Sequence, residues 1–254
     1  MIPPEHVLVT GAAGAIGSAV ARAMRAAWPT TKLALLDRDA DSMTELARTL
    51  GDATVHPADL REVDALPALV ESLGAIDGLV NCAGVMRVRC VSTWEWDEAR
   101  DLLAVDLLAP LRLQSLVVPG MVARRRGLIV NIASMAGKVP LRGCTYYGAA
   151  KSGLGTASEI ARADLARHGV RVVTVYPGPV RSPLEQGARA DYGGGGLFGR
   201  FAPTGEPATL ARRIMTAIEK DEARVIYPRV YGIGRIAPNL MHWFALAYGP
   251  PPVA

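Results

Sequence analysis

The chain has 254 residues, 50% of them apolar and 6% aromatic, with a formal charge of +4. This length suits one large α/β domain with a substantial core, and one short basic run, Arg124-Arg125-Arg126, gives no broad face for nucleic acid. Three cysteines, Cys82, Cys90 and Cys144, are too few and too scattered for a disulfide framework or a zinc site, so no metal is expected and the cytoplasm is the expected compartment.

Met1 to Glu5 has no basic or long apolar stretch, and no cleaved leader is expected. No window reaches the ~18 uninterrupted apolar residues of a membrane span. His6 to Thr10 is a short apolar run that predicts a buried strand. It leads into Gly11-Ala12-Ala13-Gly14-Ala15-Ile16-Gly17 and then an Ala-rich helix to about Trp28. Strand, glycine turn and helix form the context of a phosphate-binding loop. Gly11 can make the tight turn, Gly14 lets the backbone approach a pyrophosphate, and Gly17 lets the helix pack closely on the strand. The helix N-terminus supplies N–H groups for the anion. Lys32 to Asp37 is the second strand, and it ends in a carboxylate twenty residues after Gly17. An acid there can bind the adenosine ribose hydroxyls of NAD and would repel the 2′-phosphate of NADP. Arg38 cuts the other way, because a guanidinium can pair with that phosphate. NAD is the expected cofactor and NADP the alternative.

Strands and helices then alternate, which predicts a doubly wound parallel sheet of about seven strands with helices on both faces. The expected elements are a helix over Ala40–Leu50, a strand at Thr54-Val55-His56, a helix near Val63–Leu73 and a strand at Gly78-Leu79-Val80. Trp96–Ala123 follows as a long helical region, with a kink expected at Pro110. Next come a strand over Leu128–Ile132, a helix over Tyr147–His168, a strand over Val170–Val175, a helix over Pro207–Asp221 and a last strand at Arg224–Tyr227. No repeat or linker is visible, so 1–254 reads as one domain.

Tyr147 and Lys151 are four apart and share a helix face. A free phenol titrates near ~10, and a nearby cation lowers that value. Such a phenol can exchange a proton with an alcohol or carbonyl oxygen. Ser134 lies thirteen positions upstream.

With the Gly loop, Asp37, Ser134, Tyr147 and Lys151 in this order, residues 6 to about 228 resemble the short-chain dehydrogenase/reductase family. The resemblance implies a Rossmann-like NAD(P)-dependent oxidoreductase. Tyr147 would be the general acid/base, Lys151 would lower its pKa and hold the nicotinamide ribose, and Ser134 would orient the substrate oxygen. It further implies cofactor contacts at Gly11, Ala13, Ala15, Ile16, Gly17, Asp37, Arg38, Asp59, Leu60, Asn81, Ala83, Gly84, Pro177, Gly178, Val180 and Ser182. Asn81-Cys82-Ala83-Gly84 is similar to the family's Asn-Asn-Ala-Gly turn, with Cys82 in place of the second Asn. Ser182 falls where a threonine is usual. Asp106 stands where the family usually has Asn, which helps order a proton-relay water. Asp106 can also pair with Lys151 and draw its field away from Tyr147, so the relay is expected to keep working with altered pH dependence.

Substrate choice is expected after Ser182, in a lid over 183–206 that holds Gly193-Gly194-Gly195-Gly196 beside Tyr192, Leu197, Phe198 and Phe201. An apolar tail over 229–254 is expected to pack across the pocket or on a neighbouring subunit, with peripheral membrane contact as an alternative use. Together they suggest a lipophilic secondary alcohol or ketone, of steroid or long-chain type. Family resemblance implies a homodimer or homotetramer through the helices at Trp96–Ala123 and Tyr147–His168. The competing readings are an NADP-dependent carbonyl reductase and a nucleotide-binding regulator without turnover.

Overall fold

Two rows of apolar side chains cross neighbouring strands and divide the interior into two layers. Ala34, Leu8, Leu79, Ile129 and Val172 are in register and face one layer. Leu35, Val9, Val80, Val130 and Val173 form the adjacent row and face the other. A slip of one residue in any strand would carry its row to the wrong face, so burial on both sides fixes the register. In the computed structural model, which describes residues 2–192, 203–235, 242–243, 245–247, 249 and 251–252, the strands form one sheet. They are β1 (His6–Thr10), β2 (Lys32–Asp37), β3 (Ala53–Pro57), β4 (Gly78–Asn81), β5 (Gly127–Ile132), β6 (Val170–Pro177) and β7 (Arg224–Tyr227). Their order is β3-β2-β1-β4-β5-β6-β7, with every pair parallel. The chain winds outward from β1 to β3, then crosses back to β4. Ligands of such sheets bind at the carboxyl ends of the strands beside that reversal.

Helices α1 (Ala15–Ala27) and α2 (Ala40–Leu50) and a later helix over Pro207–Glu219 cover one face. Helices α3 (Leu66–Leu73), α5 (Ala109–Ala123) and α6 (Thr145–Leu165) cover the other. Val20, Ala21 and Met24 make the buried stripe of α1. Burying side chains such as Val20 and Met24 stabilises the fold by roughly 1.5–3 kcal/mol each. The helix α4 (Trp96–Leu103) and α7 (Pro183–Asp191) contribute Leu102 and Ala188 to a smaller cluster around Tyr147, and the Pro207–Glu219 helix is α8.

The kink expected at Pro110 is a widened turn just before it. Pro110 has no N–H for the carbonyl four residues back, that of Asp106. The chain passes through a π turn over Ala104–Leu108, and Pro110 sits in the first turn of α5, where no N–H is needed. Trp96–Ala123 has the length and mean hydropathy of a membrane span, yet Val105, Ala109, Leu113, Val117 and Met121 are buried in the core.

The first part of the segment expected to form a lid is helical. Residues from Pro183 form α7, whose N-cap Ser182 accepts the Glu185 N–H at 3.1 Å. Tyr192 ends this helix and donates its hydroxyl to the Arg142 carbonyl. Gly193 to Gly196, Leu197, Phe198 and Phe201 lie outside the described residues, as do 236–241, 244 and 248 of the tail. The tail begins with a 3-10 helix over Arg229–Arg235. Farther on, the His242 ring bonds the Lys138 carbonyl at 2.7 Å, and Arg142 donates to the Gly249 carbonyl at 3.4 Å. These described tail residues rest on the segment that leads into α6.

Glu159 of α6 binds the Arg224 guanidinium through both oxygens, at 2.9 and 2.6 Å, and accepts from Tyr176 and Lys138. These partners, Arg224 first, hold its carboxyl at about 2 against an ordinary 4.5. A depressed folded-state value stabilises the fold above the unfolded one. That contribution is present above 4.5 and is lost as pH falls toward about 2. Glu159→Gln is therefore expected to lower the melting temperature at neutral pH, with the gap from wild type closing across that acid window in a calorimetric pH series.

Candidate active site

The glycine loop leaves β1 at Gly11, whose φ of 66° lies in the left-handed region. A Cβ there would lie 2.6 Å from the backbone of Ala83, and one at Gly17 would lie 2.0 Å from the Gly11 carbonyl oxygen. Both positions thus exclude a side chain by contact with main chain. Gly14 caps α1 without any side-chain hydrogen bond, and the first turn carries no acid. The helix therefore presents unpaired N–H groups and its positive end to a cleft of about 300 Å³. Gly11, Ala15, Ile16 and Gly17 line that cleft, with Asp37, Arg38, Asp59, Leu60, Ala83, Gly84 and Ser182 from the implied cofactor set. The loop fits a pyrophosphate by this combination of bare backbone and free donors.

Asp37 ends β2 with its carboxylate fixed by main-chain donors. Ala13 N–H reaches one oxygen at 3.1 Å, and Arg38 N–H reaches the other at 2.7 Å. Ala13 therefore serves the site by orienting Asp37. Asp59 is engaged by Arg61 through both its backbone and its guanidinium, which holds its carboxyl below the usual range. Burial pushes the Cys82 thiol up to about 12, so it stays a neutral lining group.

Ser134 follows β5, and its hydroxyl accepts the Ala136 N–H at 3.1 Å while hydrogen bonding the Tyr147 phenol. Tyr147 and Lys151 are both buried on the same face of α6, with the Lys151 Nζ 5.9 Å from the phenol ring centre. That Nζ donates to the Ile132 carbonyl at 3.3 Å and lies 3.4 Å from Asp106 Oδ2. It packs behind the cleft wall at Gly84, where an added Cβ would lie 3.3 Å from it; Ser134, Tyr147 and Lys151 do not themselves line that cleft. In the chain alone the Tyr147 phenol is shifted upward. Burial raises the phenol, and the Asp106 charge raises it further, against the opposing Ser134 hydrogen bond. The lysine charge faces the Asp106 carboxyl, which is itself wholly buried: burial raises that carboxyl, while the Lys151 charge and the Val85 N–H favour its ionised form.

The model of the family described as short chain dehydrogenase matches residues 5–193. The chain belongs to this family. Among its relatives, the ketoacyl reductase HetN of Nostoc is 28% identical over 95% of this chain and 90% of its own. The solved short-chain dehydrogenase of Sphingobium yanoikuyae in complex with NADPH is 26% identical, with a TM-score of 0.78 over 93% of this chain and 94% of that one. A metagenomic short-chain oxidoreductase in complex with NADP is 31% identical, with a TM-score of 0.70 over 87% of this chain and 96% of that one. As a short-chain dehydrogenase, this protein is an NAD(P)-dependent oxidoreductase, which sets aside the reading as a regulator without turnover.

Not every implied contact of this short-chain dehydrogenase faces the cleft. The Asn81 carboxamide is turned inside, donating to Asn131 Oδ1 at 2.8 Å. Asn131 in turn donates to Ser158 at 2.9 Å and Gln114 at 3.3 Å, and Ser158 meets Thr174 at 2.7 Å. This buried network ties β4, β5, β6, α5 and α6 together behind the catalytic groups. Its sequence signal is the Asn at the end of two otherwise apolar strands. Val180 is buried in the core, and a Cβ on Gly178 would lie 2.7 Å from the Tyr231 ring, so Pro177-Gly178-Val180 frames the end of β6 without lining the cleft. Ser182 does line it, but its hydroxyl already donates to the Val180 carbonyl and accepts from Glu185, which leaves it one acceptor site. Two contributors escaped the sequence reading. Thr10 accepts the N–H groups of Cys82 and Ala83 at 3.1 and 3.2 Å and thereby shapes the cleft wall. Arg61 bridges Asp59 to Asp101.

Proposed function

We propose that this protein is an NAD-dependent oxidoreductase that interconverts a lipophilic secondary alcohol and its ketone. The observation that carries the reading is the gathering of Ser134, Tyr147 and Lys151 beside the cleft that the glycine loop opens. When bound, the nicotinamide supplies or accepts the hydride. The α1 N-terminus would hold its pyrophosphate, and Asp37 its adenosine ribose. In reduction, the Tyr147 phenol gives its proton to the carbonyl oxygen as negative charge builds there, while the Ser134 hydroxyl orients that oxygen. In oxidation the same phenol, deprotonated, takes the alcohol proton.

NAD is favoured because the Asp37 carboxylate is anchored at the cleft by three backbone N–H groups, from Ala13, Arg38 and Asp39. Arg38 favours the NADP reading, since its side chain also lines the cleft, and the two solved relatives hold NADPH and NADP. Fluorescence titration decides between them. NADH is expected to bind at least about tenfold more tightly than NADPH, and Asp37→Ser to close most of that gap. Tighter NADPH binding by the wild type would overturn the assignment.

The lipophilic substrate is supported by what surrounds the phenol. Val88, Leu102, Cys144 and Ala188 are buried around Tyr147, with Met86, Trp94 and Tyr192 packed at the edge of the cluster. Each methylene buried there is worth about 0.8 kcal/mol. Efficiency should therefore climb about fourfold per carbon along a series of methyl ketones, and a preference for small polyols would remove the assignment. Exposed Trp96, Leu108 and Ile160 on the α4–α5 and α6 region support a homo-oligomer through those helices.

A further inference from the structure

Asp106 has no exposed surface, as no other charged side chain has among the described residues. The π turn between α4 and α5 presents its carboxylate to the interior. One oxygen accepts the Val85 N–H at 2.7 Å. The other faces Lys151 Nζ at 3.4 Å and has no further hydrogen-bond donor among the described residues. Lys151 is held from its other side by the Ile132 carbonyl, and the Gly84 backbone lies against both charges. Two opposite charges this close, away from water, act at a distance as a dipole rather than as a free cation. At the nearby phenol, whose ring centre is 5.9 Å from Nζ, the carboxylate's field opposes the ammonium's.

We infer that Asp106 is a positioning residue: by pairing with Lys151 it cancels the ammonium's field at Tyr147 and holds the tyrosine as a proton donor through neutral pH. The inference rests on Tyr147 being the proton-transfer group. The charged or titratable groups facing Asp106 are Lys151 and Tyr147 on α6. Cys82, on the turn after β4, also feels Lys151, and Cys144, ahead of Tyr147, acts on the phenol. Burial raises the phenol most, and Asp106 is the largest charge acting on it, in the direction the geometry requires. Ketone reduction draws on the neutral phenol, so its rate stays flat through neutral and mildly alkaline pH. Alcohol oxidation needs the scarce phenolate, so its rate climbs about tenfold per pH unit over the same range.

Asp106→Asn tests this, because an amide oxygen can still accept the Val85 N–H while the charge is gone. The direct readout is phenolate absorbance in the ultraviolet, taken as the difference between each protein and its own Tyr147→Phe counterpart, without cofactor. The Tyr147 midpoint is expected to fall by at least one pH unit, about a tenfold change in its ionisation constant. Reduction should then acquire an alkaline decline at the new midpoint. If Asp106→Asn does not fold, Asp106→Ser carries the same measurement. The inference is overturned if Tyr147 titrates at the same pH in both backgrounds, or if the folded variant shows no phenolate before it unfolds. Full turnover in Tyr147→Phe alone would instead strike the reading of Tyr147 itself, so the two failures are separable.

Discussion

Tyr147→Phe is expected to lower kcat by about 10²–10⁴-fold while leaving cofactor affinity within about twofold of wild type. The substitution removes one hydroxyl and keeps the ring, which is 92% shielded in the cluster with Leu102, Cys144 and Ala188 (8% exposed). The packing term is therefore small. What is lost is the only group on this face of α6 that can hand a proton to a substrate oxygen oriented by Ser134, since Lys151 is already engaged by Asp106 and Ile132. Stopped assays with a hydrophobic ketone, paired with cofactor titration, separate the outcomes. Equal losses in kcat and kcat/KM mark an interaction made in the transition state, whereas a rise in KM alone would point to ground-state binding.

Gly17→Ala is expected to destabilise the fold by roughly 1–3 kcal/mol or more and to weaken cofactor binding at least about tenfold. The new methyl would have to occupy space 2.0 Å from the Gly11 oxygen and 2.8 Å from its carbonyl carbon. Main chain cannot swing aside as a side chain can. Either α1 moves away from β1, exposing Val20 and Met24, or the loop shifts. A moved loop misplaces the α1 donors that would face the pyrophosphate. Thermal melting and cofactor titration read the two consequences. Gly14 offers an internal contrast: its Cβ would meet the Gly11 oxygen at 3.2 Å, so Gly14→Ala should be the milder change.

Much of this was legible in the residues because the relevant physics is local. Short apolar runs gave the central strands within a residue or two, since strands buried on both faces must be apolar throughout, while the half-exposed β3 was read from the short run Thr54-Val55-His56. The glycine loop was legible because main-chain contacts leave no room for a side chain there. Tyr147, Lys151 and Ser134 were legible through helix spacing and order along the chain. The pairing of Asp106 with Lys151 was legible from the departure at that position, but the burial of the Tyr147 phenol among Leu102, Cys144 and Ala188 was not, because those residues come from three separate segments. Nor was the inward turn of Asn81, which is settled by Asn131 fifty residues away. Pro110 announced an irregularity, but a missing N–H does not say whether the helix will bend or widen.

The docking of the tail bears on how this protein can be handled. His242 and Gly249 are tied to the stretch from Lys138 to Arg142, which runs into the helix that carries Tyr147. A label, tag or surface attachment fused behind this tail would pull on the substrate side of the molecule. The residues ahead of β1 enter this central strand at the amino ends of the strands, about 17 Å from the cleft at ~3.3 Å per strand residue. Immobilisation from that end leaves the catalytic mouth facing the solution.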